Sequence, residues 1–153
     1  MPTRTPPSPV ADEATHEKAW TLTFLAWLVA AVSTLGALFF SDVMKLAPCE
    51  LCWWQRIFMF PLVLILPAGL FPLDHGLVRY TLPLVVVGWG FAVFHWLLVL
   101  GVIPESLRPC VRGVPCSEVP FEWFGFINIP LLSVLAFSVI IALLALSHIK
   151  VSK

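Results

Sequence analysis

Charge is the scarcest ingredient of this chain. Asp, Glu, Lys and Arg make up only 12% of its 153 residues, against about 25% in a typical soluble domain, and the two signs cancel to a formal net charge of zero. No basic stripe or aromatic platform is present for nucleic acid, which removes that class of partner. Also missing are the Gly-x-Gly-x-x-Gly fingerprint that seats a flavin or nicotinamide and the Cys-x-x-Cys-His motif that attaches haem. No internal repeat is evident, which excludes a repeat array.

Apolar residues take the place of charge, at 59% with a mean hydropathy of +0.95. Four charge-free stretches are close to or above the roughly 20 residues that a helix needs to cross a bilayer. The chain therefore reads as an all-α membrane protein, a four-helix transmembrane bundle, with helices expected at about 20–40, 52–73, 80–103 and 127–147. Residues 1–19 hold Pro2, Pro6, Pro7 and Pro9 among mixed charges, too little apolar surface to fold alone, and are expected to be a flexible tail. Acidic residues in that tail, and an apolar run longer than a signal-peptide core, predict a retained anchor. Pro61 and Pro67 predict a kink in the second helix. The polar connection 74–79 makes helices 2 and 3 antiparallel neighbours, and residues 150–153 close the chain. The domain proper is 20–149, with loops at 41–51 and 104–126.

Four spans impose a parity. The loops after helices 1 and 3 emerge on one side, and both termini with the 74–79 turn lie on the other. The four cysteines fall as two close pairs, Cys49 with Cys52 and Cys110 with Cys116, so both pairs share one face. Arg4, Lys18, Arg79, Lys150 and Lys153 on the terminal side outnumber Lys45, Arg56, Arg108 and Arg112, a positive-inside bias that points the termini to the cytoplasm. Disulfide chemistry independently favours an oxidising, extracytoplasmic face for the cysteine loops.

The stretch Pro48-Cys49-Glu50-Leu51-Cys52-Trp53-Trp54-Gln55-Arg56 opens the second helix. Cys49, Cys52 and Arg56, at i, i+3 and i+7, share a helical face. A helix N-terminus and a nearby arginine both stabilise a thiolate. Cys110 and Cys116 enclose five residues in a proline-rich loop, and Arg108 and Arg112 flank Cys110 with positive charge. Redox exchange is the reading these features favour, with catalytic Cys49, Cys52, Cys110 and Cys116. A pair of static bridges on a non-enzymatic membrane scaffold is the bland competitor. A four-thiolate zinc site is another, but the second pair is spaced more widely than usual zinc ligands, and no metal is expected.

Two exchanging disulfides only relay electrons, and the chain has no motif for a bound redox cofactor. A membrane-dissolved quinone is the economical acceptor, taking electrons from Cys52 beside Arg56. His95, the lone ionisable group deep in helix 3, is a further candidate for quinone contact. It shares a possible stripe with Gly88, Phe91, Val99 and Val102.

With these residues in view, the chain resembles the disulfide bond formation protein B family. The resemblance rests on Pro48-Cys49-x-x-Cys52 followed by Gln55-Arg56 at the start of the second of four helices, with another cysteine pair after the third. The wording Cys-Glu-Leu-Cys-Trp-Trp-Gln-Arg resembles its BdbC-type branch. The resemblance implies a multi-pass protein of the bacterial inner membrane, using ubiquinone or menaquinone. It implies that a DsbA-like thioredoxin-fold partner delivers two electrons to Cys110 and Cys116, which pass to Cys49 and Cys52 and then to quinone. Cys110 would form the mixed disulfide with the partner, Cys116 would pair transiently with Cys49, and Cys52 would face the quinone. A vitamin K epoxide reductase-like enzyme is the nearest alternative, but its Cys-x-x-Cys is expected in the last bundle helix, not before the second.

Overall fold

Each charge-free stretch forms a helix in the computed structural model, which describes residues 9–71, 76–103, 122–123 and 127–151. In chain order these are α1 (Pro9–Leu38), a single π-helical turn (Phe39–Val43), α2 (Glu50–Ala68), α3 (Gly76–Val99), a β1–β2 pair (Glu122–Trp123 with Ile127–Asn128) and α4 (Ile129–Val151). All four α-helices are long and apolar enough to cross a membrane. The expected all-α transmembrane bundle is the fold of this protein. The β pair is a two-residue antiparallel ladder, Glu122 opposite Asn128 and Trp123 opposite Ile127.

Several boundaries differ from the sequence expectation, each for a local reason. Residues 9–19, expected as tail, are the first turns of α1. Pro9 suits the first helical position, where its missing N–H costs nothing, and Ala11, Glu13, Ala14, Glu17, Lys18 and Ala19 are good helix formers. α2 stops at Ala68 rather than Leu73, its last turn closed by the Gly69 N–H on the Ile65 carbonyl at 3.2 Å. α3 begins at Gly76 and ends at Val99, four residues before Ile103, because Gly101 adopts a left-handed φ of 74° and Val102 N–H reaches back to Leu97 at 3.1 Å. α4 starts at Ile129 because 127 and 128 pair in the ladder. Asn128 caps it, its Oδ1 accepting from Leu131 N–H at 3.0 Å. Residues 72–75, the end of the expected second helix and the start of the expected 74–79 turn, lie outside the described residues.

The helices form a ring in which α2 touches α1 and α3, and α4 touches α3 and returns to α1. The core is apolar, with Leu62, Leu66, Val85, Phe137, Ile140 and Leu144 essentially inaccessible. The outer surface is apolar as well: Leu64 is 76% and Tyr80 79% exposed, as expected where lipid replaces water. Polar side chains instead serve the interior. Thr23 and Ser147 share a hydrogen bond between α1 and α4 at 3.1 Å, while on the outer face Trp89 Nε1 donates to Ser138 on α4 at 2.9 Å.

Pro67 removes the N–H that would bond the Val63 carbonyl, and Trp27 Nε1 from α1 donates to that carbonyl at 3.0 Å. At Gly88 an added Cβ would come within 2.8 Å of Phe137 and Phe58. The absence of a side chain there lets α3 approach its neighbours.

Candidate active site

After the π-helical turn, Lys45 takes a left-handed φ of 57°, and the chain reverses into Pro48 and Cys49. Cys49 is the N-cap of α2, extended at φ −71° and ψ 171°, and its carbonyl takes the first helical bond from Trp53 N–H at 3.1 Å. Cys52 lies one turn on, so the two free thiols hydrogen-bond across 3.1 Å. The Cys52 thiol beside Cys49 holds the Cys49 thiol well below its ordinary range, at about 4, against the opposing effect of burial and with help from His95. Cys49 is thus the preferred thiolate of the reduced pair.

His95 reaches this sulfur from α3. Its Nε2 lies 3.7 Å from Cys49 Sγ, and its Nδ1 lies 2.9 Å from Gln55 Nε2. All three side chains are buried, Cys49 at 7%, Gln55 at 6% and His95 at 4% exposure. The buried face of α3 runs Val78, Thr81, Val85, Gly88, Ala92, His95 and Leu98. Gly88 therefore shares the histidine's face as expected, Phe91 packs against the cluster of Cys49, Leu51 and Leu98 while stacking on Trp54 with ring centroids 5.4 Å apart, and Val102 lies beyond the helix and is exposed.

Arg56 shares the cavity lining with Cys52 and also takes a hydrogen-bond partner that its spacing did not suggest. Its Nη2 donates to the Ala37 carbonyl near the end of α1 at 2.9 Å, and its guanidinium carbon sits 5.4 Å from the Trp53 ring centroid. This contact ties α2 to the end of α1 and leaves the positive group on the wall of a cavity. That cavity, about 300 Å³, lies among α1, α2 and α4, with His95 reaching it from α3. Cys49, Cys52, Gln55, Arg56 and His95 line it together with apolar side chains such as Met59, Phe60 and Phe137. An apolar hollow with a few convergent polar groups is the usual form of a small-molecule site.

Compared with known proteins, residues 18–147 match the family model of disulfide bond formation protein DsbB. The chain belongs to the DsbB family. It is 44% identical over 123 residues to disulfide bond formation protein C of Bacillus subtilis, covering 80% of this chain and 89% of that one. It is 47% identical over 126 residues to a probable disulfide formation protein of Metapseudomonas resinovorans, covering 82% and 88%. A probable disulfide formation protein of Deinococcus radiodurans is 44% identical over 131 residues, covering 80% and 85%. No solved structure gives a significant match. As a DsbB-family protein with four membrane-spanning helices, the chain is a multi-pass membrane thiol oxidoreductase of disulfide bond formation.

The structure brings Cys49, Cys52, Arg56 and His95 to one cavity. Cys110 and Cys116 lie outside the described residues. Gln55 joins His95 as a site residue; its signal in the sequence is an uncharged hydrogen-bonding side chain inside an apolar span, which needs an internal partner. Cys49, Cys52 and His95 also offer three metal-ligand atoms within 4.8 Å of one another. Oxidation to a disulfide would remove two of the three donors, so in a thiol oxidoreductase the set suits exchange better than a resident ion.

Proposed function

We propose that this protein oxidises the dithiol of an extracytoplasmic, DsbA-like thioredoxin-fold protein and passes the two electrons to a membrane quinone. The carrying observation is the cavity itself: apolar walls, both cysteines of the dithiol, and a guanidinium on the same lining. The residues fit a quinone by their chemistry. Met59, Phe60 and Phe137 suit an apolar ring, Arg56 suits an electron-rich oxygen, and Gly36 leaves space on α1 where a Cβ would meet nothing within 4 Å. A bound quinone, ubiquinone or menaquinone, supplies a two-electron sink.

The roles of the protein's own residues follow. Cys110 takes the mixed disulfide with the partner. Cys116 exchanges with Cys49, which releases Cys52 as the free sulfur facing the cavity beside Arg56. Ile103 packs against the cluster of Cys49, Leu51 and Leu98. Cys110 follows seven residues later in the chain, a tether of at most about 25 Å, so exchange between the pairs is within reach. Both cysteine loops face outside the cytoplasm and both termini face inward, in the bacterial inner membrane.

The test is quinone-dependent oxidation of a reduced thioredoxin-fold protein by the purified chain, repeated with each cysteine replaced by Ser. Every single replacement should stop turnover, and Cys116→Ser should trap the partner on Cys110. Arg56→Met should raise the quinone KM about tenfold or more, the loss of a charge-assisted contact, with partner exchange retained. Adduct formation at Cys49 would overturn the order of exchange. Prereduced protein that keeps accessible thiols but reduces no quinone would overturn the acceptor.

A further inference from the structure

Gln55, His95 and Cys49 form a line of buried polar groups in a region that is otherwise apolar. Gln55 and Cys49 are on α2, and the imidazole enters between them from α3, one nitrogen toward each. Buried polar atoms are retained where they are satisfied. Neutral imidazole carries one donor and one acceptor, so whatever holds one nitrogen decides what the other can do.

We infer that Gln55 is a positioning residue: its amide N–H donates to Nδ1 of His95, which places the imidazole proton on Nε2 and aims it at Cys49 Sγ. The inference rests on reading Cys49 and Cys52 as the working dithiol, and it assigns His95 to the exchanging sulfur rather than to the quinone. The opposite arrangement, with Nδ1–H donating to the amide oxygen, would turn the Nε2 lone pair toward Cys49. That would repel the thiolate which the neighbouring groups favour at this sulfur.

The consequence lies in thiol–disulfide exchange. When an incoming thiolate attacks the sulfur bonded to Cys49, a new S–S bond forms, the bond to Cys49 breaks, and the negative charge moves from the attacker to Cys49. An Nε2–H already in place stabilises that leaving thiolate without any proton having to move. A glutamate at 55 could only accept, and would draw a proton to Nδ1. The glutamine amide is what permits donation.

The experiment is ¹⁵N spectroscopy of histidine-labelled full-length protein in detergent, reduced with a phosphine, with His95 assigned by its loss in His95→Phe. Nδ1 should be of the unprotonated, pyridine type and Nε2 of the protonated, pyrrole type. Gln55→Glu should convert Nδ1 to the protonated type. A protonated Nδ1 in the native protein, or no change on Gln55→Glu, overturns the inference.

A second measurement is Cys49 alkylation at a fixed pH just below 4, where the thiolate fraction still limits the rate. Gln55→Leu and His95→Phe should each slow it about tenfold, the scale of a hydrogen bond to a charged sulfur, and the double variant should be no slower than His95→Phe alone. Additive losses would mean that Gln55 does not act through His95. Neither readout needs turnover, so failure of the quinone assay would leave both intact.

Discussion

The two halves of the bundle are made from the same four helices and packed in opposite ways. In the half toward the ends of α2 and α4, the interior is closed. Ala19, Ala26 and Ala30 on α1, Leu62 and Leu66 on α2, Val85 on α3 and Ile140 and Leu144 on α4 are all fully buried, and Trp27 and Thr23 supply hydrogen bonds that seal helix to helix. In the half toward the start of α2, the interior is hollow. Gly36 and Ala37 leave room on α1, and the buried polar groups are the Cys49 thiol, the Gln55 amide and the His95 imidazole. The difference teaches a division of labour: one half holds the helices together, and the other can keep a 300 Å³ cavity because the first half holds.

The comparison can be broken most severely in the closed half. Phe137→Ala removes a fully buried ring at the boundary of the two halves, and should destabilise the protein by about 3–5 kcal/mol, read by thermal unfolding in detergent. Molecules that remain folded should still exchange thiols. If stability is unchanged, the closed half is not what holds the bundle.

A second, smaller effect belongs to the open half. Cys49, with its thiol held near 4, is already thiolate at neutral pH, so its alkylation should be nearly flat from pH 6 to 8. Cys52→Ala removes the largest cause of that shift and raises the Cys49 pKa toward the ordinary thiol value. Below the new pKa the thiolate fraction grows with pH, so the rate should climb by up to about a hundredfold across the same range. Mass spectrometry of the tryptic peptide 46–56 locates the modified sulfur. A flat profile in the variant would mean that Cys52 does not set the charge on Cys49.

The smallest effect sharpens the contrast without touching a polar group. Gly36→Leu adds a side chain where nothing lies within 4 Å of the first added carbon, and it replaces a poor helix former in α1. The melting temperature should hold or rise slightly, while the quinone KM should increase about tenfold, the worth of displacing a few methylene contacts. A fall in stability without a change in KM would place that space outside the acceptor site.

The cysteine spacing and the four spans were legible in the chain because they depend only on covalent order and on apolar runs long enough for a bilayer. Helix ends were legible to within a few residues where a local device marks them, as at Asn128, Gly69 and Gly101. The early start of α1 was missed because the prolines at 2–9 obscured the helix formers that follow. Arg56 and His95 stand out in the sequence by their chemistry, and the structure places both on one cavity, but the atoms they meet were not legible.

What the sequence determined, then, was the membrane bundle, the end of it that carries the chemistry, and the residue types of the dithiol. What only the tertiary structure decided was which neighbour each polar group takes: Arg56 on the carbonyl of Ala37, Trp27 on that of Val63, and His95 between Cys49 and Gln55. The reason is physical. Helices that are apolar on every face carry almost no periodic signal to say which side turns inward. Their rotation is set by close packing against other helices far away in sequence, and with it the partner that each buried polar side chain finds.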